Sequence, residues 1–358
     1  MRVLVAMSGG VDSAVTAHKM IQAGHDVSAV HLSLSRSALA GRNGVSGCGS
    51  PADEADAQAV AAMLGIDIEI WDFSERFADI VLSDFLNEYS QGRTPNPCLR
   101  CNENIKFSAL LERGLELGYD MVATGHYAQI VRIGDEVQLH RAADLRKDQS
   151  YVLAVLKPHQ LRHSIFPLGS MTKPEVRAEA AQLGIPVAEK PDSTDICFIK
   201  DGDTAGFLAD KLGQRPGNIV DTSGKVLGQH SGTYRYTIGQ RKGLNLGIPS
   251  VDGRPRYVVD INPESAEVIV GSAEDLMVTS LRCIRPSWTS ETVDDQPWEG
   301  FVQVRAHGEP MEATITPEGE ELRIDLHQGC RGVAPGQYAV SYQGNRVMGS
   351  AVIAKTYA

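Results

Sequence analysis

Apolar positions form short unbroken runs over the first third of the chain and short alternating runs over the last third, and the change divides the molecule. Val3-Leu4-Val5-Ala6-Met7 is apolar throughout, as a strand buried on both faces should be. Beyond Ser8-Gly9-Gly10-Val11-Asp12-Ser13, the residues Ala14, Val15, Ala17, His18 and Ile21 recur at helical spacing until Gly24 stops them. The unit then repeats. Residues 27–32 predict a second strand, 51–64 a helix closed by Gly65, and 66–71 a third strand. Helical periodicity through Phe77, Ile80, Val81, Phe85 and Leu86 covers 73–89. A helix over 104–117, ended by Gly118, and the strand Met121-Val122-Ala123-Thr124 complete the series. Such succession predicts an α/β fold on a doubly wound parallel sheet, with ligands beyond the carboxyl ends of the strands. The first loop, Leu32 and Gly125-His126 all lie at such ends.

Between Ala128 and Ala142 the pattern turns to a hairpin around Gly134-Asp135, and helices follow over 149–156 and 173–183. From Gly202 the texture changes to Gly, Pro and short strands such as 256–259, 268–270, 302–304, 313–315 and 339–342. Two small β-rich domains are expected, over 203–278 and 279–358, the last barrel-like, after a catalytic domain at 1–202.

Composition narrows the classes. With 358 residues, 42% of them hydrophobic, the chain can bury a large core shared among two or three domains. No run of about 18 apolar residues marks a membrane span. The opening residues read as the functional strand itself, so no signal peptide is expected. Six cysteines are too sparse for a disulfide scaffold, and reduced thiols in the cytoplasm are expected. A net charge of −11 speaks against a generic nucleic-acid binder. Charge is uneven, however: residues 50–89 hold ten acids and one base, whereas 231–260 hold five bases, including Arg241 and Lys242, against two acids. Basic groups gathered on one face can still grip a polyanion.

Two stretches carry candidate chemistry. The strand, Gly-rich loop and helix at residues 3–21 make an anion cradle, with backbone N–H groups and the positive helix end aimed into the loop. Gly9 and Gly10 admit a close approach of phosphate oxygens, and Ser8 and Ser13 add hydroxyl donors. Asp12 would repel a phosphate unless a cation lay between them, which argues for Mg²⁺. The loop lacks the Gly-Lys-Ser/Thr ending of a Walker loop and is not Gly-x-Gly-x-x-Gly. The second stretch, Gly92 to Asn102, is stiffened by Pro95 and Pro97 and carries Cys98 and Cys101. No further Cys-x-x-Cys completes a zinc set, so no metal centre is expected. Cys197 lies between Ile196 and Phe198, where a buried filler and a nucleophile are both open. Cys48, in the Gly- and Ser-rich stretch 35–50, is read as a minor feature of a mobile loop.

Seven motifs occur in order: the Ser8–Ser13 loop, 94–102, Thr124-Gly125-His126-Tyr127, Lys147-Asp148-Gln149-Ser150-Tyr151, 193–198, 236–243 and Pro335-Gly336-Gln337. The loop resembles that of the ATP pyrophosphatase superfamily, and together the motifs resemble the bacterial tRNA-specific 2-thiouridylases. The resemblance implies an adenine nucleotide alpha hydrolase-like sheet and a tRNA-uridine 2-sulfurtransferase. ATP, with Mg²⁺, would adenylate the C2 oxygen of the wobble uridine, and persulfide sulfur would replace it.

The residues the resemblance implies for the nucleotide are Ala6, Met7, Ser8, Gly9, Gly10, Val11, Asp12, Ser13, Leu32 and Gly125. Cys197 would accept the persulfide and Cys101 attack it, through sulfide or a Cys101–Cys197 disulfide. Some members carry an aspartate, proposed as an acid/base, where Cys98 stands here. Position in the motif favours Cys101 over Cys98 as the partner of Cys197. Asn96, Pro97 and Cys98 would line the extruded base. His126, Lys147, Asp148, Gln149, Arg305 and Gln337 would contact tRNA elsewhere. The implied partners are tRNAs for lysine, glutamate and glutamine and a persulfide donor, a cysteine desulfurase or sulfur relay protein, with no membrane. The alternatives are another adenylating enzyme of the superfamily and a tRNA-binding or sulfur-carrier protein without catalysis. The former would need an added ammonia-handling or RNA-binding domain, and the intact loop with two distant cysteines argues against the latter.

Overall fold

The structure is a computed structural model and describes residues 1–34, 49–192, 196–199, 202–246, 253–293 and 295–358; Cys48 and the stretch 35–48 lie outside them. In chain order the strands of the first unit are β1 (Arg2–Ala6), β2 (Asp26–Ser33), β3 (Ile68–Asp72), β4 (Met121–Ala123), the hairpin β5 (Gln129–Ile133) and β6 (Glu136–His140), and β7 (Ser164–Ile165). Five of them form a parallel sheet in the order β3-β2-β1-β4-β7. Strand order reverses at β1, so the ends of β2, β1 and β4 open side by side, which is where such sheets take ligands.

Alternation along β1 explains why it sits at the centre. Val3 and Val5 pack against helices α1 (Val11–Gln22) and α2 (Pro51–Leu64) and the helix Lys173–Gln182. Leu4 faces the other way, onto Trp71, Leu110 and Leu111. The unbroken apolar run therefore serves two layers. Gly65 closes α2 at φ 68°, a left-handed conformation that a Cβ would strain.

The middle unit is a four-stranded sheet, order β10-β11-β8-β9, made of β8 (Gly217–Asp221), β9 (Val226–His230), β10 (Tyr257–Asn262) and β11 (Glu267–Gly271). A helix, Thr204–Leu212, precedes it where the sequence reading expected only short strands; Asp203 caps it by accepting from the Gly206 N–H at 2.8 Å. The last unit comprises β12 (Met277–Trp288), β13 (Trp298–Gln303), β14 (Met311–Glu318), β15 (Glu321–Arg331), β16 (Tyr338–Gln343) and β17 (Arg346–Tyr357). These close into a six-stranded barrel through the β12–β17 pairing.

The barrel does not stand apart from the first unit. Hairpin β5–β6 extends its sheet by pairing His140 with Arg346 on β17. One hydrophobic cluster contains Leu99, Phe107, Tyr151 and Leu153 of the first unit together with Tyr338, Val340, Tyr342 and Val352 of the barrel. The Tyr151 hydroxyl donates to the Tyr338 carbonyl at 2.9 Å within it, which gives a buried polar group its partner.

Candidate functional site

At the end of β1 the Met7 N–H donates to the Val30 carbonyl at 2.8 Å, and His31 Nδ1 lies 2.8 Å from the Met7 carbonyl. The loop then turns through Gly9 at φ 77°. A Cβ there would fall 2.3 Å from the Asp53 carbonyl oxygen, so α2 admits only glycine. Gly125, just past β4, is constrained likewise: its Cβ would lie 2.9 Å from the Ser13 nitrogen. No side chain caps the N-terminus of α1, whose first N–H groups are left to an anion. Ser8 N–H donates to Ser13 Oγ at 3.1 Å, and the Ser13 hydroxyl donates to the Gly10 carbonyl at 3.0 Å. The Ser8 and Ser13 hydroxyls also lie 3.3 Å apart, so both serines are held at the loop.

The charges around this cradle were not read from the sequence. Lys173 Nζ reaches both Asp12 oxygens, at 2.7 and 2.8 Å, and Asp192 at 2.9 Å. Tyr127 adds its hydroxyl to Asp12 at 2.7 Å. A lysine ammonium thus stands beside Asp12, the carboxylate from which Mg²⁺ is expected. Asp192 also receives Lys147 and Arg177, each at 2.7 Å. Burial works to raise its carboxyl, but the hydrogen bonds from Lys147 and Lys173 outweigh it and hold the group far below the usual carboxylate range. Lys190 bridges the Gly9 carbonyl at 3.0 Å, Asp53 at 2.8 Å and Asp56 at 2.6 Å. One signal for Lys173 was available: it opens a helix, where a cation opposes the dipole unless an anion answers it. Among the described residues no group of three His, Cys, Asp or Glu side chains is arranged to hold a metal ion.

The cysteine stretch is more helical than its prolines implied. Asn96 caps a helix, Pro97–Cys101, by accepting from the Cys98 N–H at 3.1 Å, and Pro97 takes the first helical position, where its missing N–H is harmless. Upstream, Arg93 makes a two-pronged ion pair with Glu88 at 2.7 and 2.6 Å. Cys98 is half-buried and Cys101 buried. Cys101 lies in a cluster with Phe85, Tyr89, Ile105 and Phe198, against which Cys197 and Leu32 also pack. Both thiols and the residue expected under the adenine therefore belong to one apolar cluster.

The residues assigned to RNA divide in two. His126 sits at the rim, its Nδ1 2.7 Å from Thr124 Oγ1, between Phe107 and Phe166. Burial, reinforced by Lys106, pushes its pKa well down, so the ring is neutral at pH 7. Asp148 takes hydrogen bonds from Arg141, the Ala142 N–H and Ser150, and Gln149 accepts from the Tyr127 N–H at 2.9 Å. Arg305 donates to the carbonyls of Arg331 and Gly332. Gln337 donates to the Thr94 carbonyl at 2.8 Å. These four make hydrogen bonds within the protein. Arg241 and Lys242 are exposed beside the turn held by Gln240, whose Oε1 accepts from the Thr237 N–H at 3.0 Å.

A parallel sheet reversing at an uncapped Gly-rich loop, with a cationic rim, defines an ATP-using enzyme of the ATP pyrophosphatase-loop class. Family models match residues 1–201 (tRNA methyl transferase HUP domain), 205–272 (tRNA methyl transferase PRC-barrel domain) and 278–353 (aminomethyltransferase beta-barrel domain). Curated relatives named tRNA-specific 2-thiouridylase MnmA are 56% identical in Acidothermus cellulolyticus, over 99% of this chain and 98% of that one. Those of Cutibacterium acnes and a Nocardioides species are also 56% identical, over 99% of this chain and 97% and 98% of theirs. The chain belongs to the tRNA-specific 2-thiouridylase family.

Proposed function

We propose that this protein replaces the C2 oxygen of the wobble uridine in tRNA by sulfur, converting ATP to AMP and pyrophosphate. The observation that carries the reading is the one hydrophobic cluster that takes in Leu32, Cys101 and Cys197. Base activation and sulfur delivery can then act on one extruded uracil. A uracil oxygen is a poor leaving group until it is bound to phosphorus, so adenylation must come first.

Residues 6–13 and Gly125 hold the nucleotide, with the N–H groups of α1 toward its phosphates. Lys173 and Lys190 are the fixed cations on either side of the loop. Mg²⁺ would add charge neutralisation of the triphosphate, and Asp12, the loop's one carboxylate with a side chain 32% exposed, is the ligand placed to hold it. The uracil O2 attacks the α-phosphorus, and pyrophosphate leaves with the electrons of the broken P–O bond. The terminal sulfur of a Cys197 persulfide next bonds to C2, and AMP departs with the former O2. Cys101 thiolate then attacks Cys197 Sγ, forming a disulfide and returning the S–S electron pair to the transferred sulfur as a thiocarbonyl. A thiol reductant reopens the pair. Made before transfer, the same attack would free hydrosulfide as the nucleophile.

Asn96, Pro97 and Cys98 line the base, while His126, Lys147, Asp148, Gln149, Arg305 and Gln337, with Arg241 and Lys242, are the groups offered to tRNA. The tRNAs are those for lysine, glutamate and glutamine, the donor is a cysteine desulfurase or sulfur relay protein, and the setting is the cytoplasm. No helix among the described residues is long and apolar enough to cross a membrane. The functional division is a catalytic part at 1–202, a tRNA-contacting part at 203–278 and a barrel at 279–358. In the test, purified protein, tRNA, ATP and a persulfide donor yield 2-thiouridine by nucleoside mass spectrometry. Cys101→Ser gives none and Cys98→Ser a reduced amount. No product with the unaltered protein would overturn the reading.

A further inference from the structure

The ladder between β1 and β2 stops one rung short at the nucleotide end. Ala29 N–H donates to the Asp67 carbonyl at 2.8 Å, so the odd-numbered N–H groups of β2 point to β3 and the even-numbered ones to β1. Met7 N–H continues the β1 side by donating to the Val30 carbonyl at 2.8 Å, just past the end of β1. The next parallel rung would run from the Leu32 N–H to the Met7 carbonyl. Among the described residues that bond is not made, and the Met7 carbonyl meets His31 Nδ1 at 2.8 Å instead. A carbonyl only accepts, so Nδ1 carries the hydrogen and donates. An imidazole is otherwise an unfavourable filler here. His31 is 0% exposed, and its Nε2 has no hydrogen-bond partner among the described residues. A buried acceptor without a donor opposes folding, and an apolar ring would avoid that loss. What the histidine adds is its one donor at Nδ1.

We propose that His31 is a positioning residue for the nucleotide base: by holding the Met7 carbonyl, it reserves the Leu32 N–H for a ring nitrogen of adenine. The proposal rests on the ATP site set out above, and it concerns binding of the base, not the transfer of sulfur. β1 and β2 part at this point, at the strand ends where the sheet takes its ligand. Adenine offers bare ring nitrogens as acceptors in its plane. A backbone N–H fixed by a strand meets one of them without ordering any side chain. Phenylalanine at position 31 has no donor, so the Met7 carbonyl would take the Leu32 N–H and complete the ladder. The carbonyl is then paired again within the sheet, and stability is kept while the base loses its donor.

The test uses the full chain and reads ATP binding directly, by calorimetry in the presence of Mg²⁺. For His31→Phe the expected result is a Kd for ATP weakened about tenfold, the effect of one hydrogen bond, with a thermal midpoint no lower than that of the unaltered protein. His31→Asn, whose amide nitrogen takes the place of Nδ1, should bring the Kd back to within about threefold. Amide exchange in the unaltered chain, followed by NMR, decides the matter independently of any variant's folding. The Leu32 amide should exchange fast without nucleotide and become protected when ATP is added. An unchanged Kd in His31→Phe would overturn the proposal, as would a Leu32 amide already protected without ATP. So would a joint loss of ATP affinity and thermal midpoint in both variants, which marks an ordinary packing residue. If the unaltered protein binds no ATP, the underlying site assignment fails instead, so the two failures are separable.

Discussion

Asp192 gathers three cations, Lys147, Lys173 and Arg177, within 2.9 Å, and Lys173 passes the connection on to Asp12 in the nucleotide loop. A carboxyl held far below its usual range stabilises the fold above the unfolded pKa of about 3.9 and loses that contribution as pH falls through its folded value. Asp192→Asn should therefore be less stable than the unaltered protein at pH 7. The gap should narrow as pH drops below about 4, as measured by denaturant unfolding across pH. The loop glycines were legible because their spacing after a buried strand is local information. The lysines were not, because Lys173 and Lys190 reach the loop from 161 and 181 residues away along the chain.

At the scale of elements, the helix Pro97–Cys101 shows where reading stopped short. Its prolines read locally as loop stiffeners, although asparagine followed by proline is also how a helix begins. Asn96→Ala removes the cap and should lower stability by about 0.5–2 kcal/mol. It should also quicken alkylation of Cys98, followed by thermal unfolding and by mass spectrometry of the labelled peptide. The parallel strands, α2 with its Gly65 stop and the β5–β6 hairpin were legible because period and punctuation agree there. The helix Thr204–Leu212 was missed because the Gly- and Pro-rich texture around it outweighed a nine-residue pattern. Strands β12 and β17 hold bulges at Cys283 and Ser287, which break the alternation that would have revealed them.

Over the whole molecule, the sequence divides into three textures but the structure joins them at Thr94, which touches Pro335, Gln337 and Thr237. Pairings so distant along the chain leave no local pattern to read. The shared core around Leu99, Tyr151, Tyr338 and Val352 predicts that a chain cut after residue 278 exposes apolar surface. Such a fragment should bind a hydrophobic dye and lose thiolation even though its nucleotide loop is intact. Activation and sulfur delivery are nevertheless separate acts of one site, and the Cys197→Ser variant, assayed with tRNA, ATP and a persulfide donor, divides them most directly. The account predicts that tRNA-dependent pyrophosphate release continues while 2-thiouridine disappears from the nucleoside spectrum. Formation of 2-thiouridine at the unaltered rate would contradict it.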